Sequence, residues 1–500
     1  MSATPSTGST ARESKRARQH GRSRRSSVRG LVLTAIVGVA AAAGARADET
    51  DDYIAAQMSR QHIPGLSLAV LKDGKPLKVQ GYGLANLELG THATPETVFQ
   101  IGSVSKQFIA AGIALLSEAG KVGLDDPVRK YLEDAPETWQ AITVRHLLTH
   151  TSGLIRETPG LQLKVQSEID AIRAAYSAPL AFAPGEKWQY SNLGYFVLAE
   201  IISRATQIPW PQYLQERIFA PLGMRATRTT TVEELVPHRA TGYHWMDSSK
   251  YQNAQIVPGV RPSGAFLSSV LDLAKWNAAL HADTLFSSQQ RELLWTPVKL
   301  NDGSEKPYGF GWELGKAGKH RQVKHAGTMI GFRSHMLLFP DDGLTVVVLT
   351  NATQAVPEKI AAGVAALYLP DLKLQQPKRN PTNLSAEILE GYTGRYQLPG
   401  NRVLTVARRE GKLTVAMAMA LPGLSKEVAA LAEGVSMDIA LLTPEDGARF
   451  FDEDDSRSTY LFSMDVQGTA QLVIEDPNGK QGQPLPKLAP LKALGPASPR

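Results

Sequence analysis

Two strand-pair patterns, far apart in this 500-residue sequence, constrain its fold more than any other feature. Residues 65–83 predict two strands around an Asp73-Gly74 turn, and residues 331–350 predict two more around a Pro-Asp-Asp-Gly turn. Between them, residues 105–300 carry the apolar spacing of helices, interrupted by Gly and Pro. Strands at both ends with helices between them predict one α/β (α+β) domain. Its sheet would be built from sequence-distant strands, and a helical subdomain would cover it.

The residue pattern of the sequence changes after this first domain, which we place at residues 48–369. Residues 370–383 are spaced by prolines and predict a linker. From 384 to 478, short strand-like pieces alternate with Gly, Asn and Asp turns, which predicts a second, small all-β domain of barrel or sandwich type. The last stretch, 479–500, is rich in proline, and we expect it to be disordered.

The first 47 residues have the three parts of an export signal. A basic stretch is followed by an apolar run at 31–44 and by a small-x-small site at 45–47. The run is short for a membrane span, which needs about twenty residues. We expect cleavage after Ala47, no transmembrane span in the mature chain, and a periplasmic or secreted protein; an uncleaved anchor is the alternative. Two arginines at 24–25 resemble a twin-arginine signal, but Ser27 departs from it, so the export route, Sec or twin-arginine, stays open.

Composition narrows the classes of function. The formal net charge is +6, but the leader alone holds nine Lys or Arg residues against one acidic residue. Residues 48–500 are therefore close to neutral, which argues against a nucleic-acid partner. The chain has no cysteine, which excludes disulfides, thiolate zinc sites and cysteine nucleophiles.

Ser103 and Lys106, in the segment QIGSVSK, are the first candidate catalytic pair. A spacing of three places both side chains on one helix face, and the apolar helix that follows would carry Lys106 into the interior. Burial lowers the pKa of a lysine and makes its neutral amine available to take the proton of a serine hydroxyl. The helix N-terminus also offers backbone N–H groups to a developing oxyanion. A tolerated surface lysine is the alternative, because a Ser-x-x-Lys match also arises by chance in a chain of this length.

Two further segments supply candidates of the same kind. Tyr190 and Asn192, in WQYSNLGY, lie two apart at a loop–helix junction, where they could line one cleft as a proton-transfer partner and an amide donor or acceptor. His325 and Gly327, in HAGT, precede a strand, and small residues beside the histidine allow a ligand to approach the backbone. The structural alternatives are a packed tyrosine beside an N-cap asparagine, and a turn with a surface histidine.

In the order SVSK, YSN and HAG, these segments resemble the serine β-lactamase and penicillin-recognising superfamily, in its class C β-lactamase, DD-peptidase and esterase branch (peptidase family S12). Three further segments resemble that family: HLLTHTSGL at 146–154, PSGAFLSSVLDLAKW at 262–276 and YGFGW at 308–312. The resemblance covers about residues 52–368 and implies a β-lactamase/transpeptidase-like fold, an antiparallel sheet flanked by helices with a helical subdomain. EGYTGRY at 390–396 resembles the opening of a lipocalin-like barrel appended to some members.

The resemblance implies roles for the candidate residues. Ser103 would be acylated, Lys106 would help to deprotonate it, and Tyr190 would share the general-base role and pass a proton to the leaving group. The implied substrate-binding residues are Asn192, His325 and Gly327, and the oxyanion donors are the backbone N–H groups of Ser103 and Thr328.

His325 occupies the position that is lysine in β-lactamases. A lysine there is a permanent cation that can anchor the carboxylate of a β-lactam, whereas histidine with an ordinary pKa near 6.5 is mostly neutral at neutral pH. The H-x-G form resembles that of the DD-carboxypeptidases, D-aminopeptidases and esterases of the family. We therefore expect weak or no hydrolysis of penicillins.

Two histidines four residues apart, His146 and His150, raise the question of a metal site. The usual zinc-protease signature has Glu after the first histidine, where this sequence has Leu147. We expect both histidines to be structural, hydrogen-bonded around the THTSG turn, and we expect neither a metal nor a cofactor.

The leading hypothesis is an exported serine hydrolase that forms an acyl-enzyme on Ser103 and acts on a small molecule or short peptide, peptidoglycan fragments included. D-amino-acid peptides and amides are the first substrate class and small esters the second. The alternatives are a non-catalytic penicillin-binding-like protein and a cell-wall-binding protein that relies on its C-terminal domain. The substrate, the acceptor in deacylation, the oligomeric state and the role of the C-terminal domain stay open, because fold-level kinship does not supply them.

Overall fold

The computed structural model describes residues 49–158, 167–230, 234–246, 250–254, 262–282, 284–372, 378–398, 402–409, 411–418, 436–452, 458–464, 469–475 and 481–489. The predicted export signal at 1–47 lies outside the described residues, and so does the part of the predicted tail from residue 490 onwards. None of the helices described is both long and apolar enough to cross a membrane.

The strands of the first domain are short, and most carry β-branched or aromatic residues. They are β1 (Gly65–Lys72), β2 (Lys75–Asn86), β3 (Thr91–His92), β4 (Phe99–Gln100), β5 (Tyr243–Met246), β6 (Lys250–Asn253), β7 (Leu267–Ser268), β8 (Val298–Lys299), β9 (Glu305–Lys306), β10 (Glu313–Ala317), β11 (His320–Met329), β12 (Phe332–Phe339) and β13 (Leu344–Thr350).

Seven of these strands form one antiparallel sheet in the order β10-β11-β12-β13-β1-β2-β3. The two predicted strand pairs meet at its centre, where β1 pairs with β13 and Leu66 lies opposite Thr350. Asp73 and Gly74 both have positive φ, 51° and 72°, as a tight hairpin turn between twisted strands requires. The predicted fold class, a β-lactamase-like sheet of sequence-distant strands flanked by helices, is confirmed.

Helices occupy the region between the two strand pairs and both ends of the domain. They are α1 (49–60), α2 (Lys106–Glu118), α3 (Val144–Leu148), α4 (Glu168–Ala174), α5 (Asn192–Thr206), α6 (Trp210–Leu214), α7 (Val270–His281), α8 (Ser288–Leu294) and α9 (Pro357–Tyr368). The segment Gln215–Phe219 continues α6 as a π-helical turn.

The alternation of side chains along the central strands gives the sheet two apolar faces. On β1, Leu66, Leu68 and Val70 belong to the core beneath α9. The intervening Ala69 and Leu71 belong to the larger core that contains α2, α5 and α7. Since β1 and β13 are buried on both sides, their sequences read as nearly continuous apolar runs, which is why both were detectable in the sequence.

The C-terminal residues form a second sheet that is nearly closed into a barrel. After α10 (Ala386–Tyr392), strands β14 to β21 pair in sequence order. The bridge from Tyr396 to Lys487 brings the last strand back to the first. The strands are β14 (Gly394–Leu398), β15 (Arg402–Arg409), β16 (Lys412–Ala418), β17 (Ser436–Pro444), β18 (Arg449–Asp452), β19 (Thr459–Met464), β20 (Ala470–Glu475) and β21 (Leu485–Pro486).

The barrel extends beyond the predicted domain boundary at residue 478. Strand β21 lies in the stretch expected to be a disordered tail, yet Leu485 pairs with Leu472 and is buried in the barrel core. The proline-rich composition misled the prediction because Pro486 stands in a terminal two-residue strand, where proline is tolerated. The barrel-like architecture agrees with the prediction, whereas its lipocalin-like kinship stays a prediction.

Candidate active site

Ser103 and Lys106 lie where a short 3₁₀ turn, Gly102–Ser105, passes directly into α2. The prediction of one helix through both residues is thus correct only from Lys106 onwards. Side chains three apart are eclipsed in a 3₁₀ turn, so the two residues face the same cleft. Ser103 is half-buried, and Lys106 is fully buried because α2 runs into the main core.

The amine of Lys106 is surrounded by oxygen atoms. Its Nζ lies 2.7 Å from Asn192 Oδ1, 2.7 Å from the carbonyl oxygen of Ser263 and 3.1 Å from Ser103 Oγ. Burial lowers the pKa of Lys106 well below its ordinary value, although the nearby Glu157 carboxylate opposes this shift. A neutral amine fits these contacts, because its two N–H groups can serve the two carbonyl oxygens while its lone pair faces the Ser103 hydroxyl.

Tyr190 and Asn192 reach the same cleft from the start of α5. Lys106 Nζ lies 4.8 Å from the centroid of the Tyr190 ring. Burial raises the pKa of Tyr190, opposed by its hydrogen bond with Ser103, so the phenol keeps its proton. The helix is capped by Ser191, whose Oγ accepts from Gly194 N at 3.2 Å, and the N-cap alternative considered for Asn192 is wrong.

Arg156 and Glu157, which sequence reasoning did not single out, complete this side of the cleft. Asn192 donates from Nδ2 to Glu157 Oε1 and accepts from Lys106, and these opposite demands orient its amide. Arg156 accepts from Asn192 N through its carbonyl oxygen at 2.9 Å, and its guanidinium lies 5.2 Å from the centroid of the Tyr190 ring. Both follow the HTSGL segment, whose resemblance to the family was the only signal available.

His325 lies at the cleft, but both of its ring nitrogens are occupied. Its Nδ1 lies 2.7 Å from the carbonyl oxygen of Ala326, which can only accept, so Nδ1 carries the proton. Its Nε2 lies 3.1 Å from the Tyr308 hydroxyl, which therefore donates to it. Burial is the main reason why the pKa of His325 is lowered to about 3, so the ring is neutral at neutral pH.

Tyr308 also joins His325 to His150. Ser191 N donates to His150 Nδ1 at 3.2 Å, which leaves the His150 proton on Nε2, 3.1 Å from the Tyr308 hydroxyl. Burial lowers the pKa of His150 as well. One arrangement of protons satisfies all these contacts: His150 donates to Tyr308, and Tyr308 donates to His325.

The side chains of the two histidines of HLLTH have different partners outside the THTSG turn, whereas the carbonyl oxygen of His146 accepts from Thr151 N of that turn at 2.9 Å, as expected. His146 caps α3 by accepting from Thr143 N through Nδ1 at 3.2 Å. His150 faces the active site. No group of three or more His, Asp or Glu side chains suited to a metal ion occurs in the part of the chain that the structure describes.

Gly327 and Thr328 bring the backbone of β11 against the 3₁₀ turn. A Cβ atom built on Gly102 would lie 2.4 Å from Thr328 N, and one on Gly327 would lie 2.0 Å from the carbonyl oxygen of Ile101. Glycine at both positions therefore allows the approach. The N–H groups of Ser103 and Thr328 belong to these two adjoining segments, as an oxyanion hole would require. Strand β10 pairs only with residues 320–324 of β11, and no other described strand pairs with residues 325–328 on that edge.

Comparison with known proteins places this chain in a family. The Beta-lactamase family model matches residues 50–369. Penicillin-binding protein 4* of Bacillus subtilis (strain 168) is 28% identical over 425 residues, which cover 79% of this chain and 93% of that protein. Protein flp of Staphylococcus aureus (strain MW2) is 28% identical over 316 residues, covering 61% of this chain and 62% of that protein.

Solved structures show the same architecture. The octameric penicillin-binding protein homologue from Pyrococcus abyssi superposes with a TM-score of 0.63 and 25% identity, over 85% of this chain and 98% of that chain. D-amino acid amidase from Ochrobactrum anthropi SV3, at 24% identity, shares the fold with a TM-score of 0.54 over 64% of this chain and 97% of that chain. The chain therefore belongs to the Beta-lactamase family of serine hydrolases, which includes penicillin-binding proteins.

Proposed function

We propose that this protein is an exported hydrolase that forms an acyl-enzyme on Ser103 and acts on D-amino-acid peptides or amides, with small esters as the second substrate class. The observation that carries the proposal is the environment of Lys106. Its buried amine has two carbonyl acceptors and the Ser103 hydroxyl within hydrogen-bond distance. A serine hydroxyl is a weak nucleophile, and an adjacent base is the usual way to activate it.

In the proposed acylation step, Lys106 takes the hydroxyl proton while Ser103 Oγ attacks the substrate carbonyl carbon. The negative charge that develops on the carbonyl oxygen is stabilised by the N–H groups of Ser103 and Thr328. Collapse of this intermediate breaks the bond to the amine or alcohol, which receives a proton by way of Tyr190. The raised pKa keeps the Tyr190 phenol protonated, so Tyr190 is not the resting base; it passes its proton to the leaving group as it receives one from Lys106. Water then attacks the acyl-enzyme and releases the acid.

The state of His325 supports weak or absent penicillin hydrolysis. A neutral imidazole with both nitrogens engaged offers no cation to the carboxylate of a β-lactam. His325 and Gly327 remain predicted substrate contacts. Gly327 would act by keeping the backbone of β11 close to the nucleophile. His325 would contact the substrate with the edge of its ring.

Export to the periplasm or the medium is part of the proposal and rests on the leader sequence alone. The basic stretch, the apolar run and the small-x-small site at 45–47 support cleavage after Ala47 and release into the periplasm or medium. A small molecule or short peptide is the proposed partner, with peptidoglycan fragments among the natural sources.

The first test compares mature protein 48–500 with its Ser103→Ala variant. We expect wild type to hydrolyse p-nitrophenyl acetate and the variant to fall to background, because no other group would accept the acyl chain. Intact-mass spectrometry on a slow substrate should show one acyl adduct, located on Ser103 by peptide mapping. Equal behaviour of the two proteins would contradict the nucleophile assignment and favour a non-catalytic binding protein. Once Ser103 is established, D-peptides, esters and penicillins are compared by kcat/KM.

A further inference from the structure

Arg156 places a guanidinium over the catalytic tyrosine. Its Cζ lies 5.2 Å from the centroid of the Tyr190 ring, and its side chain is exposed. The backbone beneath it is fixed, because its carbonyl oxygen accepts from Asn192 N at 2.9 Å and from Leu193 N at 3.4 Å. The charge of Arg156 acts on Tyr190 and Lys106. The guanidinium therefore stands beside the reacting groups on a rigid support.

The donors of this guanidinium have no carboxylate partner among the described residues. The neighbouring Glu157 directs its carboxylate to Asn192 Nδ2 instead. No ion pair of Arg156 occurs in the part of the chain that the structure describes, and its contact there is with the aromatic face. Since an arginine side chain carries five N–H donors in a planar fork, most of them are available at the mouth of the cleft.

The other basic groups at the cleft are already engaged. Lys106 is held by three oxygen atoms and acts as the proposed base. His325 is neutral, with both nitrogens occupied. Arg333, beside the oxyanion strand, donates to the carbonyl oxygen of Thr353 at 2.7 Å and to Thr328 Oγ1 at 2.5 Å. Arg156 is therefore the cation best placed to receive an anionic group of the substrate.

We propose that Arg156 is a specificity-determining residue that binds a carboxylate carried by the substrate beside its scissile bond. The proposal rests on the proposed function and names its substrate class: anionic acyl donors. The carboxylate belongs either to the residue that is released, as in a peptide with a free C-terminus, or to the acyl part. A guanidinium can take it through two parallel N–H···O bonds, which a lysine cannot match.

Two pairs of thioester substrates, each differing in one charge, test the proposal. The first pair is benzoylglycine esterified to thioglycolic acid or to thioglycolamide, which places the charge on the leaving group. The second is the thioglycolamide thioester of glutaric acid or of its monoamide, which places the charge on the acyl part. A thiol reagent measures release, and because the chain has no cysteine it reports the product alone. The readout is the ratio of kcat/KM for the charged and the neutral member.

We expect Arg156→Ala to lower this ratio by about tenfold to a hundredfold in one of the two pairs, the size of a lost charge-assisted hydrogen bond. Arg156→Lys should restore part of it, and Arg217→Ala, at an exposed arginine on the π-helical turn, should leave it as in wild type. The affected pair identifies the position of the carboxylate. Unchanged ratios in both pairs, or a loss that follows Arg333→Ala instead, would overturn the proposal.

A binding measurement separates this proposal from the proposed function. Calorimetry on Ser103→Ala, with and without Arg156→Ala, compares the charged and neutral thioesters without turnover. Tighter binding of the charged member that disappears with Arg156 supports the anchor even if Ser103 proves not to be the nucleophile. Equal binding of both members overturns it even if Ser103 is acylated.

Discussion

Lys106 combines two properties that seldom occur together in a lysine, complete burial and contact with a reactive hydroxyl. Desolvation disfavours its charged form, and the carbonyl oxygens of Ser263 and Asn192 can be served by a neutral amine. The neutral form is the one that can accept a proton from Ser103. The proton state of this residue should therefore control the pH dependence of the reaction.

We predict that kcat/KM rises with pH through the lowered pKa of Lys106, at a pH well below that of an ordinary lysine. The rate rises with pH because Lys106 must be unprotonated to act as the base. A lowered pKa lets Lys106 lose its proton at a pH closer to neutrality than the value above 10 that an ordinary lysine needs. Lys106→Arg, which keeps its charge, should be inactive at every pH, while the exposed Lys121→Arg should match wild type. A midpoint at or above pH 10 would contradict the neutral-amine assignment. A limb near pH 6.5 that disappears in His325→Gln would contradict a neutral His325.

The sequence was informative about the residues proposed to react and uninformative about those that hold them in place. Ser103, Lys106, Tyr190 and Asn192 lie in short motifs of recognisable chemistry, and the structure brings them together. Tyr308 escaped notice because its role depends on two histidines from distant segments, and neither spacing nor composition reports which nitrogen of a histidine carries a proton.

At the scale of elements, the site depends on how closely β11 approaches the 3₁₀ turn before α2. Gly102 and Gly327 leave no room for a side chain between the two segments. Ser334 Oγ, on the neighbouring strand, donates to the carbonyl oxygen of Ile101 at 2.7 Å and fixes the same junction. The sequence indicated close approach at Gly327, but the partner segment, more than two hundred residues away, could not be read from it.

We predict that Gly327→Ala separates the nucleophile from Thr328 and destabilises the protein by about 1–3 kcal/mol, the usual cost of overpacking. Its Cβ would meet backbone atoms of Ile101, which cannot rotate away as a side chain would. Activity should fall by more than the folded fraction does. Circular dichroism measures the folded fraction, and labelling of Ser103 with a covalent active-site reagent measures the fraction of reactive sites. The matched control is Gly391→Ala in α10, where the added methyl meets nothing within 4 Å. An active, stable Gly327→Ala would contradict the close approach.

At the scale of the whole molecule, ion pairs connect the barrel to the hydrolase domain and to the linker. Lys359 in α9 lies 2.7 Å from Asp452 in β18, and the carboxylate is only 4% exposed. Arg379 in the linker lies 2.9 Å from Glu445, next to the end of β17. Since a buried carboxylate needs a partner, the pair of Lys359 and Asp452 should contribute to the attachment of the barrel. The sequence predicted the barrel and the linker but not this attachment, because the sequence does not indicate which oppositely charged residue a surface charge will pair with.

We predict a coupling free energy of about 1 kcal/mol or more between Lys359 and Asp452. Urea unfolding of Lys359→Met, Asp452→Leu and the double variant gives the value as a double-mutant cycle, in which other contacts of either residue cancel. The more exposed pair Arg173–Asp134 is the control and should show about 0–1 kcal/mol. A coupling of zero for Lys359 and Asp452 would remove the ion pair from the account of how the domains are joined.

The central pairing of β1 with β13 has a consequence for the order in which the enzyme matures. A chain that emerges with its N-terminus first exposes Ser103 long before Thr328 and the rest of the sheet have followed. Contacts between such distant segments form late and slowly, because the intervening loop must close first. The proposed nucleophile is therefore synthesised well before Thr328, the proposed oxyanion donor, and an unfinished chain would lack a complete site. On the proposed mechanism, activity begins only when the last strands of the sheet have been added.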